Sequence, residues 1–225
     1  CSSDLHVAGI ARIYPQRDWE TTSTRSLMLV ERELAAFSTW YEYFPRSCVY
    51  DGKTHGTFKD AAKQLPLIHK MGFNIVYFPP IHPVGREFRK GKNNTLTPSS
   101  KDVGSPWAVG AKEGGHKSIL PALGTLEDFQ RLLDEAEMRG MEVALDIAFQ
   151  CAPDHPWVKQ HPEWFRWRPD GTVQYAENPP KKYQDILPIN FESDDWGNLW
   201  DELKSVFEYW IEQGVKVFRV DNPHT

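Results

Sequence analysis

The sequence predicts an α/β fold: the first half of a (β/α)8 barrel, about four strand–helix units, with a long inserted loop after strand three. Three observations carry that prediction. Three helical patterns each stop at a glycine, Gly72, Gly140 and Gly214, and each is followed within a residue or two by a buried-strand pattern. Strands alternating with helices imply parallel strands joined by crossovers. The helix-to-strand links are short, whereas the strand-to-helix links 81–124 and 150–197 are far longer than usual. Long loops on one end only suit a barrel whose function sits at the C-terminal ends of its strands. A doubly wound sheet also alternates and is the second-ranked fold. Its Gly-rich phosphate turn is missing after the first strand, where Arg46-Ser47-Cys48 stands.

In chain order, residues 1–35 read as the end of a preceding domain and a connector. Val7 to Tyr14, ended by Pro15, reads as the last strand of that domain. Leu27, Val30 and Leu34 among Glu31, Arg32 and Glu33 read as a connector helix over 19–36. The catalytic half-barrel is expected over 36–225, with its inserted region at 151–196. Its first strand is the aromatic run 37–44, stopped by Pro45, and Asp51-Gly52 signals a turn in the loop beyond. Thr57 with Asp60 three residues later opens the first helix as a capping box. Phe58, Ala61, Ala62, Leu65 and Ile68 form its stripe, and Pro66 predicts a kink. The second strand is 74–79. Thr125 with Asp128 opens the second helix, whose stripe is Leu126, Phe129, Leu132, Leu133 and Ala136, and strand 142–149 follows. Leu199, Leu203, Val206, Phe207 and Trp210 mark the third helix, and 215–221 the fourth strand, which Pro223 stops.

Composition narrows the classes. A net charge of −5 gives no basic footprint for nucleic acid. No apolar run reaches the ~18–20 residues of a membrane helix. Cys1-Ser2-Ser3-Asp4 has no signal-peptide pattern, and the chain reads as an internal fragment of a longer protein. Cys1, Cys48 and Cys151 lack metal-like spacing and suit free thiols in a reducing cytosol. The nine Trp, twelve Phe and eight Tyr serve either core packing or sugar stacking.

The chemistry-bearing residues follow the strands. Residues two apart on a strand share a face, so Arg219 and Asp221 lie side by side. A guanidinium beside a carboxylate favours its charged form, as a carboxylate nucleophile requires; a structural ion pair closing the strand has the same pattern. His82, Arg86, Arg89, Lys90 and Lys92 make a basic loop that either holds an anion or is simply solvated. Asp146 inside an apolar strand needs a partner. Cys151 and His155 suggest a metal or thiol site, but no third ligand stands at metal-like spacing, so no metal and no cofactor are expected.

Several segments resemble the α-amylase superfamily of retaining glycosidases and transglycosylases. Strand three with Asp146 and the run Phe218-Arg219-Val220-Asp221 look like two of its signature segments. Residues 40–47, 89–94, 149–157 and 221–225 are similar to the branch that moves maltosyl units from maltose 1-phosphate to α-1,4-glucan. Ordinary amylases carry Asn-His where Gln150-Cys151 stands, and a His four rather than three residues after the nucleophile, where His224 stands. The resemblance implies Asp221 as a nucleophile forming a β-linked glycosyl-enzyme, with Arg219 holding it ionised. It implies Lys90, Gln150, Asp185 and Asn222 around the maltosyl phosphate, with Asn178, Lys181 and Tyr183 in the same pocket. The acid/base would be a Glu after strand five, beyond Thr225, so residues 1–225 alone should be inactive. A cytoplasmic homodimer is implied for the longer protein. The competing functions are an α-glucan hydrolase or transglycosylase of the same superfamily and a non-catalytic glycan-binding barrel.

Overall fold

The computed structural model describes residues 2–15, 17–50, 52 and 55–222, with no description of the Ser2 and Ser3 side chains. The readings placed on Cys1, Asp51, Pro223, His224 and Thr225 lie outside the described residues. The chain divides into two compact units, Cys1–Phe37 and Ser38–Thr225.

The first unit corrects two expectations. Helix α1 (Ser2–Ile13) replaces the expected strand. Val7, Ile10 and Ile13 are all β-branched, but they recur every three residues, and that spacing makes one helical face. Most of 19–36 has no regular secondary structure, and only the short helix α2 (Glu33–Ala36) forms in the expected connector. Thr21-Thr22-Ser23-Thr24 explains this, because hydroxyl side chains compete for the backbone's hydrogen bonds and β-branched residues lose rotamer freedom in a helix. Leu27 to Val30 are almost fully exposed, so no packing offsets the poor propensity.

The second unit holds the sheet. Strands β1 (Trp40–Glu42), β2 (Ile75–Phe78), β3 (Glu142–Ala148) and, last in the chain, β8 (Val217–Asp221) are parallel and neighbour each other in that order. This is the strand arrangement of the first half of a (β/α)8 barrel. Strand β3 is buried along nearly its whole length, as a parallel strand covered on both faces must be. Strand β1 is shorter than the aromatic run that predicted it. Pro45 starts a tight 3-10 turn over Pro45–Ser47, and two of the three residues of β1 are exposed.

The first helix is two helices, α3 (Phe58–Ala62) and α4 (Leu65–Lys70), and Pro66 sits in the opening turn of α4. A proline ring in a helix interior collides with the carbonyl four residues back, so the helix restarts with proline where no N–H is needed. Helix α5 (Leu126–Glu137) and the closing α7 (Trp196–Glu212) follow the predicted stripes. Both predicted capping boxes form: Thr57 and Thr125 accept from the N–H of Asp60 and Asp128, whose carboxylates accept in return from the threonine N–H groups. Gly72, Gly140 and Gly214 all have φ between 68 and 99°, the left-handed turn that redirects each helix into its strand.

The insertion after β3 has its own small framework. Strand β4 (Gln150–Cys151) precedes helix α6 (Pro156–Gln160), then hairpin strands β5 (Ala176–Asn178) and β6 (Lys181–Tyr183), then β7 (Leu187–Pro188), which pairs antiparallel with β4. Phe58, Phe78, Phe129, Leu132, Leu145, Leu203, Val206 and Trp210 belong to the main core, which fills the space between the sheet and its helices. Among the described residues no helix is long and apolar enough to cross a membrane.

Candidate active site

Parallel register brings the site's charged groups together. Asp146 of β3 is the Cα partner of Arg219 of β8, so the two strands set carboxylate beside guanidinium. Arg219 Nη1 lies 3.1 Å from Asp146 Oδ2 and 2.6 Å from Asp221 Oδ1, so one nitrogen bridges two carboxylates. Asp146 is completely buried, and it also accepts from the Tyr77 hydroxyl at 2.5 Å and the Trp107 indole N–H at 3.1 Å. Burial pushes the Asp146 carboxyl up, and the donors Tyr77, Arg219 and Trp107 oppose that push. Burial lowers the Arg219 guanidinium, but the carboxylates of Asp146 and Asp221 outweigh it and the net direction is upward. The pairing that the sequence demanded for Asp146 is therefore threefold.

Asp221 ends the strand at a cavity of about 860 Å³. Asn222 turns the chain there with φ 42°, a conformation asparagine tolerates, and its amide donates to Asp221 Oδ2 at 3.2 Å. Of the sequence-predicted residues, Gln150, Asn178, Tyr183, Asp221 and Asn222 line this cavity together. Trp107, Phe149, Arg166 and Tyr175 complete much of its wall, and the sequence reading gave none of these a role. Tyr77 and Trp107 were likewise unassigned. Each reaches Asp146 from a distant part of the chain, and neither stands in a pattern that marks it locally.

Arg219, Lys90, Asp185 and Lys181 are not on the cavity wall. Lys90 is buried, and its ammonium donates to the Gln184 side-chain oxygen and, at 3.3 Å, to the Lys182 carbonyl, which clamps it to the hairpin. Asp185 is buried beside it. Burial pushes its carboxyl up while the Lys90 charge pulls the other way, and its Oδ1 accepts no hydrogen bond from the described residues. Lys181 is an exposed hairpin residue opposite Asn178. A second cavity, about 360 Å³, lies at the other end of the strands around Met141, Glu142 and Gly214, and no predicted site residue lines it.

The basic loop does not converge on an anion. Arg86 pairs with Glu113 at 2.8 Å, and Arg89 donates to the carbonyls of Gly85, Val84 and Asp102. His82 is fully buried, pushed down to about 3 by burial, and therefore neutral. Lys92 is exposed in a tight turn. Only Lys90 of the five turns toward the inserted hairpin.

The expectation that Cys151 and His155 lack a third companion is corrected. His116 joins them, and the candidate ligand atoms of the three buried residues all lie within 4.8 Å of one another. Hydrogen bonds then decide against a metal. Trp157 donates its N–H to His155 Nδ1 at 3.0 Å, so the His155 proton is on Nε2, 3.2 Å from His116 Nδ1. His116 Nε2 faces the Ala148 carbonyl at 2.8 Å and must carry the other proton. The chain of bonds runs one way from end to end and leaves neither imidazole a lone pair for an ion. Burial pushes His116 down to about 4, holds His155 well below the usual imidazole range, and pushes the Cys151 thiol up, so all three are neutral. Gly110 and Gly115 press against this cluster; a Cβ on either would come within 2.0 or 2.3 Å of the His155 ring. No sequence signal near His116 points to this meeting of the loop after β2 with the start of the insertion after β3.

The family model for the alpha amylase catalytic domain matches residues 12–202. Alpha-1,4-glucan:maltose-1-phosphate maltosyltransferase of Methylacidiphilum infernorum (isolate V4) is 62% identical over 212 residues, 94% of this chain and 32% of that protein. The protein of the same name from Chlorobaculum tepidum is 59% identical over the same shares. The chain thus spans about a third of the length of the curated relatives it matches. Among solved structures, an alpha-amylase from Lactobacillus plantarum aligns with a TM-score of 0.64 at 30% identity, over 82% of this chain and 38% of that one.

Proposed function

The chain belongs to the alpha-amylase catalytic-domain family, and from that premise we propose that the longer protein containing it transfers maltosyl units from maltose 1-phosphate to the non-reducing end of α-1,4-glucan with retention. The observation that carries this reading is Asp221, a strand-end carboxylate with Arg219 on one oxygen and Asn222 on the other, facing a cavity walled by Gln150, Asn178 and Tyr183. The names of relatives 56–62% identical to the chain supply the substrates.

In the proposed reaction an Asp221 oxygen attacks the anomeric carbon, and the carbon–oxygen bond to phosphate breaks with its electron pair leaving on phosphate. A hydroxyl of the glucan then attacks the same carbon and gives its proton to a general base. The bond to Asp221 breaks and restores the carboxylate. Two displacements at one carbon return the starting configuration. The base is the family's Glu after strand five, so residues 1–225 alone are expected to be inactive. Gln150 and Asn222 offer amide donors to sugar and phosphate oxygens, Asn178 and Tyr183 line the same pocket, and Lys181 stands beside them on the hairpin. Lys90 and Asp185 belong to the same donor site, and Lys90 acts through the hairpin that it holds. Residues 1–35 are read as the end of a preceding domain and 36–225 as the half-barrel. The enzyme is proposed to be a cytoplasmic homodimer; a reducing compartment suits the free buried thiols of Cys48 and Cys151.

The test is phosphate release from maltose 1-phosphate by the full-length protein with α-1,4-glucan present. Release coupled to glucan lengthening supports the reading, and no release with both substrates refutes it. Hydrolysis of glucan without any phosphate dependence would select the hydrolase instead.

A further inference from the structure

Trp107 stands in the long loop after β2 and makes two polar contacts of different kinds. Its indole N–H donates to Asp146 Oδ2 at 3.1 Å, and its backbone carbonyl accepts from Gln150 Nε2 at 3.1 Å. Its ring meets Phe44 edge-on at 6.1 Å and forms part of the cavity wall. It also packs with Ala108, Ala152 and Ile186 in a small apolar cluster beneath that wall.

These contacts place Trp107 between the two halves of the site. On one side, Asp146 holds Arg219, and the same Nη1 of Arg219 holds Asp221. On the other side stands Gln150, whose amide shares the cavity with Asp221. Asp146 Oδ2 collects three donors, from Tyr77, Trp107 and Arg219. A carboxylate that loses one donor draws harder on those that remain. Without the indole N–H, Asp146 would pull Arg219 Nη1 toward itself and away from Asp221.

We infer that Trp107 is a positioning residue for the reaction, acting through Asp146 and Arg219 to fix where Asp221 stands and through its carbonyl to fix how Gln150 presents its amide. The inference rests on the proposed maltosyl transfer. The indole's own contact with substrate is not needed for it. Because the effect is on the aim of an attacking oxygen, it falls on turnover more than on donor binding. Small misplacements of reacting groups are costly in this way.

The experiment uses the full-length protein, maltose 1-phosphate and α-1,4-glucan, with phosphate release measured. Trp107→Phe keeps an aromatic wall and removes only the N–H donor. The expected result is a kcat about tenfold lower with the donor KM within roughly twofold of wild type. If the Phe variant does not fold, the pair Trp107→Gln and Trp107→Met makes the same comparison. The two side chains are alike in length, and only Gln offers an N–H to Asp146, so kcat should be several-fold higher for Gln than for Met. Equal kcat for that pair, or a wild-type kcat for Trp107→Phe, overturns the inference. A parallel wild-type assay separates the two levels: no phosphate release there refutes the proposed activity itself.

Discussion

Two polar clusters sit near the C-terminal ends of the strands, and they use their hydrogen bonds in opposite ways. Around His116 and His155 the protons run in one direction from Trp157 to the Ala148 carbonyl, and both rings are buried, neutral and satisfied. Around Asp146, Arg219 and Asp221 the groups are charged, and the cluster is closed at one end and open at the other. Asp146 is saturated and buried, while Asp221 reaches the large cavity. A constellation resembling a metal site proves structural once its lone pairs are counted, and a two-residue ion pair proves to be the group facing open space. Residue type alone does not separate the two clusters; the accounting of donors and acceptors does.

The sharpest way to break this contrast is at its open end. Asp221→Asn in the full-length protein should lower phosphate release from maltose 1-phosphate by at least about a thousandfold, since a nucleophile has no substitute. Its melting temperature should stay close to wild type. Near-normal turnover would return Asp221 to the status of a structural ion pair. At the closed end the effect should reverse. Arg219→Met leaves Asp146 buried without its cation and should cost about 3 kcal/mol of stability, measured as a lowered denaturation midpoint. An unchanged midpoint would mean that Tyr77 and Trp107 suffice for Asp146.

The histidine cluster predicts an acid sensitivity of its own. His82, His116 and His155 are pushed down by burial, to about 3 for His82 and about 4 for His116. Between those values and the ordinary ~6.5 of an unfolded histidine, the unfolded chain binds protons that the folded chain refuses. Stability therefore rises with pH across that window, and falls as pH drops from about 6.5 toward 4. Each histidine adds a slope approaching 1.4 kcal/mol per pH unit, as an order of magnitude. Replacing His82 with Phe should flatten the curve in pH-dependent melts, and an equally steep curve would mean the histidine is not buried neutral. The smallest expected effect is a control away from both clusters: Thr125→Ala removes a helix cap and should cost about 1 kcal/mol, with phosphate release per folded molecule unchanged.

What was legible in the sequence was whatever repeats or sits next to its partner. Thr57 and Thr125 announced their capping boxes because the partner is three residues away. Gly72, Gly140 and Gly214 announced their turns because the same stop recurs. Arg219 and Asp221 were visible as a pair because strand geometry alone sets them together. The β-branched look of Val7, Ile10 and Ile13 hid a helical spacing, and the expected helix over 19–36 lacked a buried face to hold it. His116, Tyr77 and Trp107 could not be found at all. Each meets its partner 39 to 69 residues away in sequence, Tyr77 across neighbouring strands and the other two through loops whose course only the folded chain defines. The basic loop stayed ambiguous for the complementary reason, since composition counts its charges but not the carbonyls that occupy Arg89.

The pairing of Asp146 with Arg219 across β3 and β8 also distinguishes the native strand register from its neighbours. If β8 slipped by one position, its alternate residues would swap faces and the guanidinium would leave the carboxylate. Such a chain would bury the Asp146 carboxylate without its cation, the same loss that Arg219→Met makes, about 3 kcal/mol. A sheet assembled out of step would thus be less stable than the native one, so the contact that aligns the reactive carboxylate also favours the correct register of the strands that carry it.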